Sequence, residues 1–231
     1  MSAQGYTLGN VAAAEKTFIQ RVYGWMAAGL TLTGMVAWVV ANDADMVNAI
    51  IMNRAVFWGL LLLELALVWI LTAAIGKMSA GIATSMFLVY AGVNGMTLAV
   101  IFLAYTRESI ATTFFVTAGT FGAMCVYGMA TQRDLTSVGS FCFMALIGLI
   151  LASVVNVFLH STALYWVTTY AGILIFVGLT AYDAQKIKQM HAASVEGSEE
   201  AKKGSVMGAL ALYLDFINLF LMLLRLLGRR R

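Results

Sequence analysis

Seven apolar runs, each about as long as the 20 residues that a helix needs to cross a bilayer, most constrain how this chain can fold. The charged residues lie almost entirely between these runs. The sequence therefore predicts an all-α membrane protein with seven transmembrane helices. The predicted spans are Val22–Asn42, Ala55–Gly76, Gly81–Tyr105, Ile110–Thr131, Val138–Leu159, Ala163–Tyr182 and Val206–Leu224.

The composition supports this class and excludes others. Hydrophobic residues make up 61% of the 231 and charged residues only 11%, too few to give a soluble domain its polar surface. The net charge is +3, and the basic residues sit between and after the apolar runs, so membrane lipid is the expected partner and nucleic acid is not. Cys125 and Cys142 both fall inside apolar runs and are expected to be free thiols.

The spans divide the chain into a polar N-terminal tail at 1–21, a transmembrane domain at 22–228 and a basic tail at 229–231. An odd number of spans places the two termini on opposite faces. Basic residues slightly favour the N-terminal face, which predicts a cytoplasmic N-terminus and an external C-terminus, although the arginine tail argues the other way. The chain contains no Asn-x-Ser/Thr sequon, which favours a bacterial inner membrane.

Two aspartates lie within these apolar segments. Asp183 closes the sixth run and Asp215 lies in the middle of the seventh. An ionised carboxylate at such a depth costs about 2.5–3.5 kcal/mol, so it should face protein and have a partner. The two carboxyls are therefore expected to meet, and the last helix, which is otherwise apolar on all sides, is expected to be central in the bundle.

The acids allow three roles: a proton or cation site, a pH-sensing pair, or a structural clamp. Two carboxyls close together out of water cannot easily both ionise, so one is expected to hold a proton. Thr180 and Asn218 each lie three residues from an acid and could hydrogen-bond it. Tyr182 and Tyr213, close by in sequence, complete the set of supporting residues.

Glu64 is a third acid inside a predicted span. It is either an ion-path residue or a lone buried acid bonded to a neighbouring hydroxyl. Asn94 and Asn156, also within spans, are expected to link helices by hydrogen bonds.

Enzymatic signatures fail. Tyr182-Asp183 matches half of the intramembrane aspartyl protease pattern, but Leu212-Tyr213-Leu214-Asp215 has none of the glycines of the other half, and the chain has no proline. His160 and His191 lie at or beyond span ends, which excludes an intramembrane serine protease and a histidine-rich metal site. The seventh span has no lysine for a retinal Schiff base. We expect no enzyme activity and no cofactor.

Three segments resemble the transmembrane Bax inhibitor motif family. The most specific is ALYLDFINLFLMLLRLL at Ala211–Leu227. GLTAYDAQKIK at Gly178–Lys188 and RVYGWMAAGLTLTG at Arg21–Gly34 are similar to the family's sixth and first helices. The likeness runs from Arg21 to Gly228.

This resemblance implies seven helices with the last one enclosed by the other six, and a pH-sensitive calcium leak with an aspartate dyad as its sensor. Asp183 and Asp215 match the dyad, which could also form a weak calcium site, and Glu64 would line the path. Calcium is then the transported ion. Bacterial members can carry an arginine that latches to the dyad. Lys77 stands there in this chain, and because lysine lacks the bidentate fork of arginine, its latch should be looser.

The direction of pH gating depends on this latch. If Lys77 holds ionised Asp183 in the closed state, acid opens the path; if two aspartates sharing a proton hold it closed, alkali opens it. Acid opening is the expectation, because Lys77 otherwise has no acidic partner nearby in the sequence. The alternatives are a non-conducting regulator that binds another membrane protein, such as a protease, and a proton-coupled transporter. A monomer is favoured.

Overall fold

The computed structural model consists of long helices joined by short turns. It describes residues 8–192 and 197–231, with side chains for 15–190 and 197–231, and these ranges contain no β-strand. The seven long helices are α1 (Leu8–Asn42), α2 (Arg54–Ala74), α3 (Ala80–Ala104), α4 (Arg107–Ala130), α5 (Thr136–Leu159), α6 (Thr162–Ala192) and α7 (Glu199–Leu227). Short helical turns at Ala44–Met46 and Val47–Met52 connect α1 to α2, and Ile75–Lys77 connects α2 to α3.

Each of the seven is long and apolar enough to cross a membrane, which confirms the predicted fold class. Polar residues at the helix starts supply the caps. The Asn53 side chain accepts hydrogen bonds from the first backbone N–H groups of α2, and the Thr106 hydroxyl does so at the start of α4. The spans therefore end where the sequence changes from apolar to polar.

The first helix begins earlier than the first apolar run. It starts at Leu8 rather than Val22, and Phe18, which lies within the predicted tail, is buried. Part of the segment predicted as a polar tail at 1–21 is thus helical, while residues 1–7 lie outside the described residues.

The polar segment 189–203, which separates the sixth and seventh predicted spans, is helical at both of its ends. α6 continues to Ala192 and α7 begins at Glu199, with residues 193–196 outside the described part. The charged residues here stabilise helix ends. A carboxylate oxygen of Glu199 accepts a hydrogen bond from the backbone N–H of Ala80, the first residue of α3, at 3.0 Å.

The last helix is the most enclosed of the seven. In its apolar stretch 72% of the residues are buried, against 6% in α2 and 11% in α5. Such burial is what a helix that is apolar on all sides and carries an acid requires, and it confirms the prediction that α7 is shielded from lipid by protein.

Two compact units are present. The first comprises residues up to Leu98 together with Ile187–Leu210. In this unit α1 lies close to α3. The Thr33 hydroxyl of α1 donates a hydrogen bond to the carbonyl of Ala91 in α3 at 2.8 Å. A Cβ added to Gly95 would lie only 2.7 Å from the carbonyl oxygen of Thr33, so the contact requires glycine.

The second unit comprises Ala99–Lys186 and Ala211–Arg231. Phe216 of α7 packs edge-to-face against Phe114 and Phe121 of α4, with ring centroids 5.4 and 5.3 Å apart. These aromatic contacts fix α7 against α4 within this unit.

The basic tail at 229–231 is held to the second unit by its backbone. The N–H of Thr106 donates to the carbonyl of Arg229 at 3.1 Å, and the N–H of Arg231 donates to the carbonyl of Ala104 at 3.0 Å. The Ser109 hydroxyl accepts from the N–H of Arg229 at 2.8 Å. The tail therefore lies along the α3–α4 corner.

Candidate functional site: the aspartate pair

Asp183 and Asp215 both lie in the second unit, on α6 and α7, and their carboxyl groups share a hydrogen bond. Asp215 is only 5% exposed, whereas Asp183 is half-buried. The predicted meeting of the two carboxyls is confirmed. An ionised carboxylate can only accept hydrogen bonds, so this bond requires a proton on one of the two acids.

Oδ2 of Asp215 is buried and accepts no hydrogen bond from an N–H or hydroxyl donor among the described residues. A buried oxygen left without a partner is unfavourable, because it has lost its bonds to water. The contact with Asp183 is therefore what compensates the burial of the Asp215 carboxyl inside an apolar helix.

Lys186 is a cation of α6 that borders the pair. Lys186 lies one turn after Asp183 and interacts with it electrostatically. The Lys186 ammonium also lies 5.8 Å from the centroid of the Tyr182 ring. Because Lys186 is exposed, its charge is also in contact with solvent, which weakens the attraction.

Glycines on two neighbouring helices hold α6 at this depth. A Cβ added to Gly128 of α4 would lie 2.1 Å from the carbonyl oxygen of Ala181. On α5, a Cβ at Gly139 would lie 2.5 Å from the ring of Tyr182. Both helices therefore contact α6 immediately before Asp183, and neither position has room for a side chain.

Cys142 of α5 lies beside the same pair. A Cβ added to Gly178 would lie 2.6 Å from the Cys142 sulfur, and the thiol is close enough to Asp215 to interact with its charge. Cys142 and Cys125 are both buried thiols outside any disulfide, as predicted.

The supporting residues differ from expectation. The Thr180 hydroxyl donates to the carbonyl of Phe176 at 2.7 Å, and the Asn218 amide donates to the carbonyl of Leu214 at 2.8 Å. Each of these bonds stays on the residue's own helix, because a carbonyl one turn back is always within reach. Neither residue donates a hydrogen bond to Asp183 or Asp215 among the described contacts, although the sequence had suggested that both could.

The two tyrosines have packing roles in the structure. Tyr213 is fully buried within α7, and the ring of Tyr182 covers Gly139.

Gln185 is a site residue that the sequence analysis missed. Its side-chain oxygen accepts from the N–H of Leu135 and its amide donates to the carbonyl of Arg133, both at 2.8 Å. Gln185 is buried two residues after Asp183 and ties α6 to the turn between α4 and α5. Its position within the family-like segment, in the turn that follows Asp183, was the only available signal.

Glu64 lies in the first unit, on α2, and bonds to α3. Its carboxylate accepts hydrogen bonds from the Thr97 hydroxyl at 2.6 Å and the Asn94 amide at 3.1 Å. The predicted bond to a neighbouring hydroxyl is present, and Asn94 links two helices as expected. A role for Glu64 in an ion path stays a prediction.

Lys77 ends the short turn between α2 and α3 and is exposed. Its side chain forms no ion pair or hydrogen bond within the described residues. The latch stays a prediction.

The carboxyls of Asp183 and Asp215 supply few ligands for a metal ion. Within 15–190 and 197–231 there is no group of three or more His, Cys, Asp or Glu side chains that could hold one. Calcium takes about six to eight oxygen ligands, so two carboxyls would bind it only weakly.

Comparison with known proteins identifies the family. The family described as "Inhibitor of apoptosis-promoting Bax1" matches residues 15–231. "Inner membrane protein YbhL" of Escherichia coli (strain K12) is 52% identical, over 95% of this chain and 94% of its own length. "Uncharacterized protein RP147" of Rickettsia prowazekii is 43% identical over 94% of this chain and 91% of its own. An uncharacterized protein of Borreliella burgdorferi is 42% identical, over 94% of each chain. The chain therefore belongs to the Bax inhibitor family of membrane proteins.

Proposed function

We propose that this protein is a multi-pass protein of the bacterial inner membrane that carries a slow, pH-sensitive calcium leak. The aspartate pair, Asp183 with Asp215, would act as the sensor. The observation that carries the proposal is the hydrogen bond between the two carboxyls, one of them almost fully buried in the most enclosed helix. Family membership and the name of the Escherichia coli relative support the membrane assignment.

The chemistry of the pair suits a sensor better than a reaction centre. A shared proton makes the contact between α6 and α7 depend on pH, because loss of the proton leaves two carboxylates that repel each other. We thus propose a conducting protein and not an enzyme. Calcium is its cargo and membrane lipid surrounds it. It has no resident cofactor and is a monomer.

Calcium flux into proteoliposomes tests the proposal. Purified wild-type protein is reconstituted, and uptake is followed with a trapped calcium indicator from about pH 6 to pH 8, a range in which closely paired buried carboxyls can titrate. We expect flux in the wild type, and a flattened pH profile in Asp183→Asn and Asp215→Asn. Asp134→Asn is the matched control, since Asp134 is exposed and lies in the turn before α5.

The outcomes separate the candidate functions. Flux that rises as pH falls agrees with the expected acid opening, whereas flux that rises with pH indicates that the shared proton keeps the path closed. Unchanged profiles in both variants reduce the pair to a structural clamp. No flux in the wild type favours a non-conducting regulator of another membrane protein.

A further inference from the structure

A basic cavity lies in the second unit, and its lining includes neither aspartate of the pair nor any residue that positions them. Its volume is about 590 Å³, and it is formed where α5 ends, α6 begins and α7 runs into the C-terminal tail. Arg225, Arg230 and His160 contribute cationic or titratable groups, and Tyr165 and Trp166 contribute aromatic rings. No Asp or Glu is among the described residues that line it.

The two guanidinium groups are held in place by aromatic rings and not by acids. Arg230 donates a hydrogen bond to the Tyr165 hydroxyl at 3.2 Å, and Arg225 lies 5.8 Å from the centroid of the same ring. Arg230 also lies 6.0 Å from the centroid of the Tyr105 ring. Cation–π contacts orient a guanidinium but leave most of its five N–H donors unused. Both positive charges are therefore arranged without a neutralising partner in this part of the chain.

Such an arrangement fits an anion with several acceptor oxygens. Planar guanidinium forks match phosphate oxygens well, and two of them facing one cavity favour a phosphate over a single carboxylate. The N-terminus of the 31-residue helix α6 borders the same cavity and adds positive potential.

The surroundings indicate where that phosphate comes from. The last turn of α5, next to the cavity, exposes Phe158 and Leu159, which are 79% and 64% exposed. Trp166, on the cavity wall, is an aromatic residue of the kind that lies at headgroup depth. A lipid could thus place its phosphate between the arginines and its acyl chains along α5. Basic pockets between transmembrane helices bind lipid headgroups in this way.

We propose that this cavity binds the phosphodiester of an anionic phospholipid, with Arg225 and Arg230 as the phosphate ligands. Tyr165 is a positioning residue that orients Arg230. The site lies within the second unit and does not depend on whether the protein conducts calcium.

Native mass spectrometry of delipidated protein in detergent tests the proposal, with dioleoyl phosphatidylglycerol as the probe. We expect one tightly bound lipid per chain, and weaker binding of dioleoyl phosphatidylcholine. Arg225→Gln and Arg230→Gln should each weaken phosphatidylglycerol binding about tenfold or more, the effect of losing a hydrogen bond to a charged group. Arg54→Gln, at an exposed arginine outside the cavity, should bind as the wild type does.

Two further measurements keep the test decisive. Arg225→Lys retains the charge but not the fork, so it should bind more weakly than the wild type and more tightly than Arg225→Gln. A photoreactive phosphatidylglycerol should label the wild-type peptide that contains Tyr165 and Trp166, a result that needs no variant to fold. Equal affinity in wild type and both arginine-to-glutamine variants, or labelling elsewhere only, overturns the proposal. Displacement of the lipid by inorganic phosphate at matched concentration overturns the lipid assignment in favour of free phosphate.

Discussion

The carboxyl of Asp215 is hydrogen-bonded to that of Asp183, and this contact joins α7 to α6 inside the second unit. No N–H or hydroxyl group among the described residues donates to the buried Oδ2 of Asp215. The bond is thus the group's main compensation for leaving water.

Removing the carboxyl group of Asp183 should destabilise the protein more than replacing it with an amide. Asp183→Ala leaves the Asp215 carboxyl buried without a hydrogen bond, and we expect it to lower the free energy of unfolding by about 1–3 kcal/mol. Asp183→Asn should cost less, because its amide can still donate to Asp215. Unfolding in detergent measures both, with the exposed Asp45→Ala as control. If Asp183→Ala were as stable as the wild type, the bond would not be stabilising.

The shared proton should be visible by infrared spectroscopy. A state in which the carboxyls are paired binds a proton that a separated state releases, so pairing is favoured at low pH and lost as pH rises. We expect a protonated-carboxyl band that fades with rising pH and is missing in Asp215→Asn. Glu64→Gln serves as control for the other intramembrane acid, and should keep the band. A band that persists in Asp215→Asn but vanishes in Glu64→Gln would show that the proton lies on Glu64 and not on the aspartate pair.

Gln185→Leu should loosen the end of α6. It leaves the N–H of the buried Leu135 and the carbonyl of the exposed Arg133 without their bonds, and an unsatisfied buried group costs about 1–3 kcal/mol. We expect lower thermal stability and faster amide exchange at Leu135. Gln132→Leu, at an exposed position in the same turn, should have little effect. Unchanged exchange at Leu135 would show that Gln185 is not needed to hold this turn.

Gly128→Ala should push α6 away from α4. The added Cβ would lie 2.1 Å from the backbone oxygen of Ala181, which cannot turn aside as a side chain could. Overpacking of this kind typically costs about 1–3 kcal/mol. Gly122→Ala on the same helix is the matched control, because nothing lies within 4 Å of its added Cβ. Equal melting temperatures for the two variants would contradict the close contact.

The membrane spans could be predicted from the sequence because hydropathy is a local property. The residues at which the helices begin and end could not be predicted in this way. Residues 8–21 and 199–203 are polar enough to resemble a tail and a loop, yet they are helical. A helix can continue beyond the bilayer when its polar side chains face water or cap a neighbour, as Glu199 does for α3. Hydropathy reports depth in the membrane and not backbone conformation.

What the sequence determined by itself was the class of the protein and the presence of three acids in its apolar spans. An acid that must avoid lipid has to face protein, so a meeting of Asp183 and Asp215 could be predicted. Only the tertiary structure decided which residues donate hydrogen bonds to each acid and which residues position the helices that carry the acids. Thr180 and Asn218 bond their own helices, and Gln185 and Gly128 position α6 instead. The reason is that the rotation and separation of packed helices depend on contacts between distant residues, which the periodicity of a single helix does not contain.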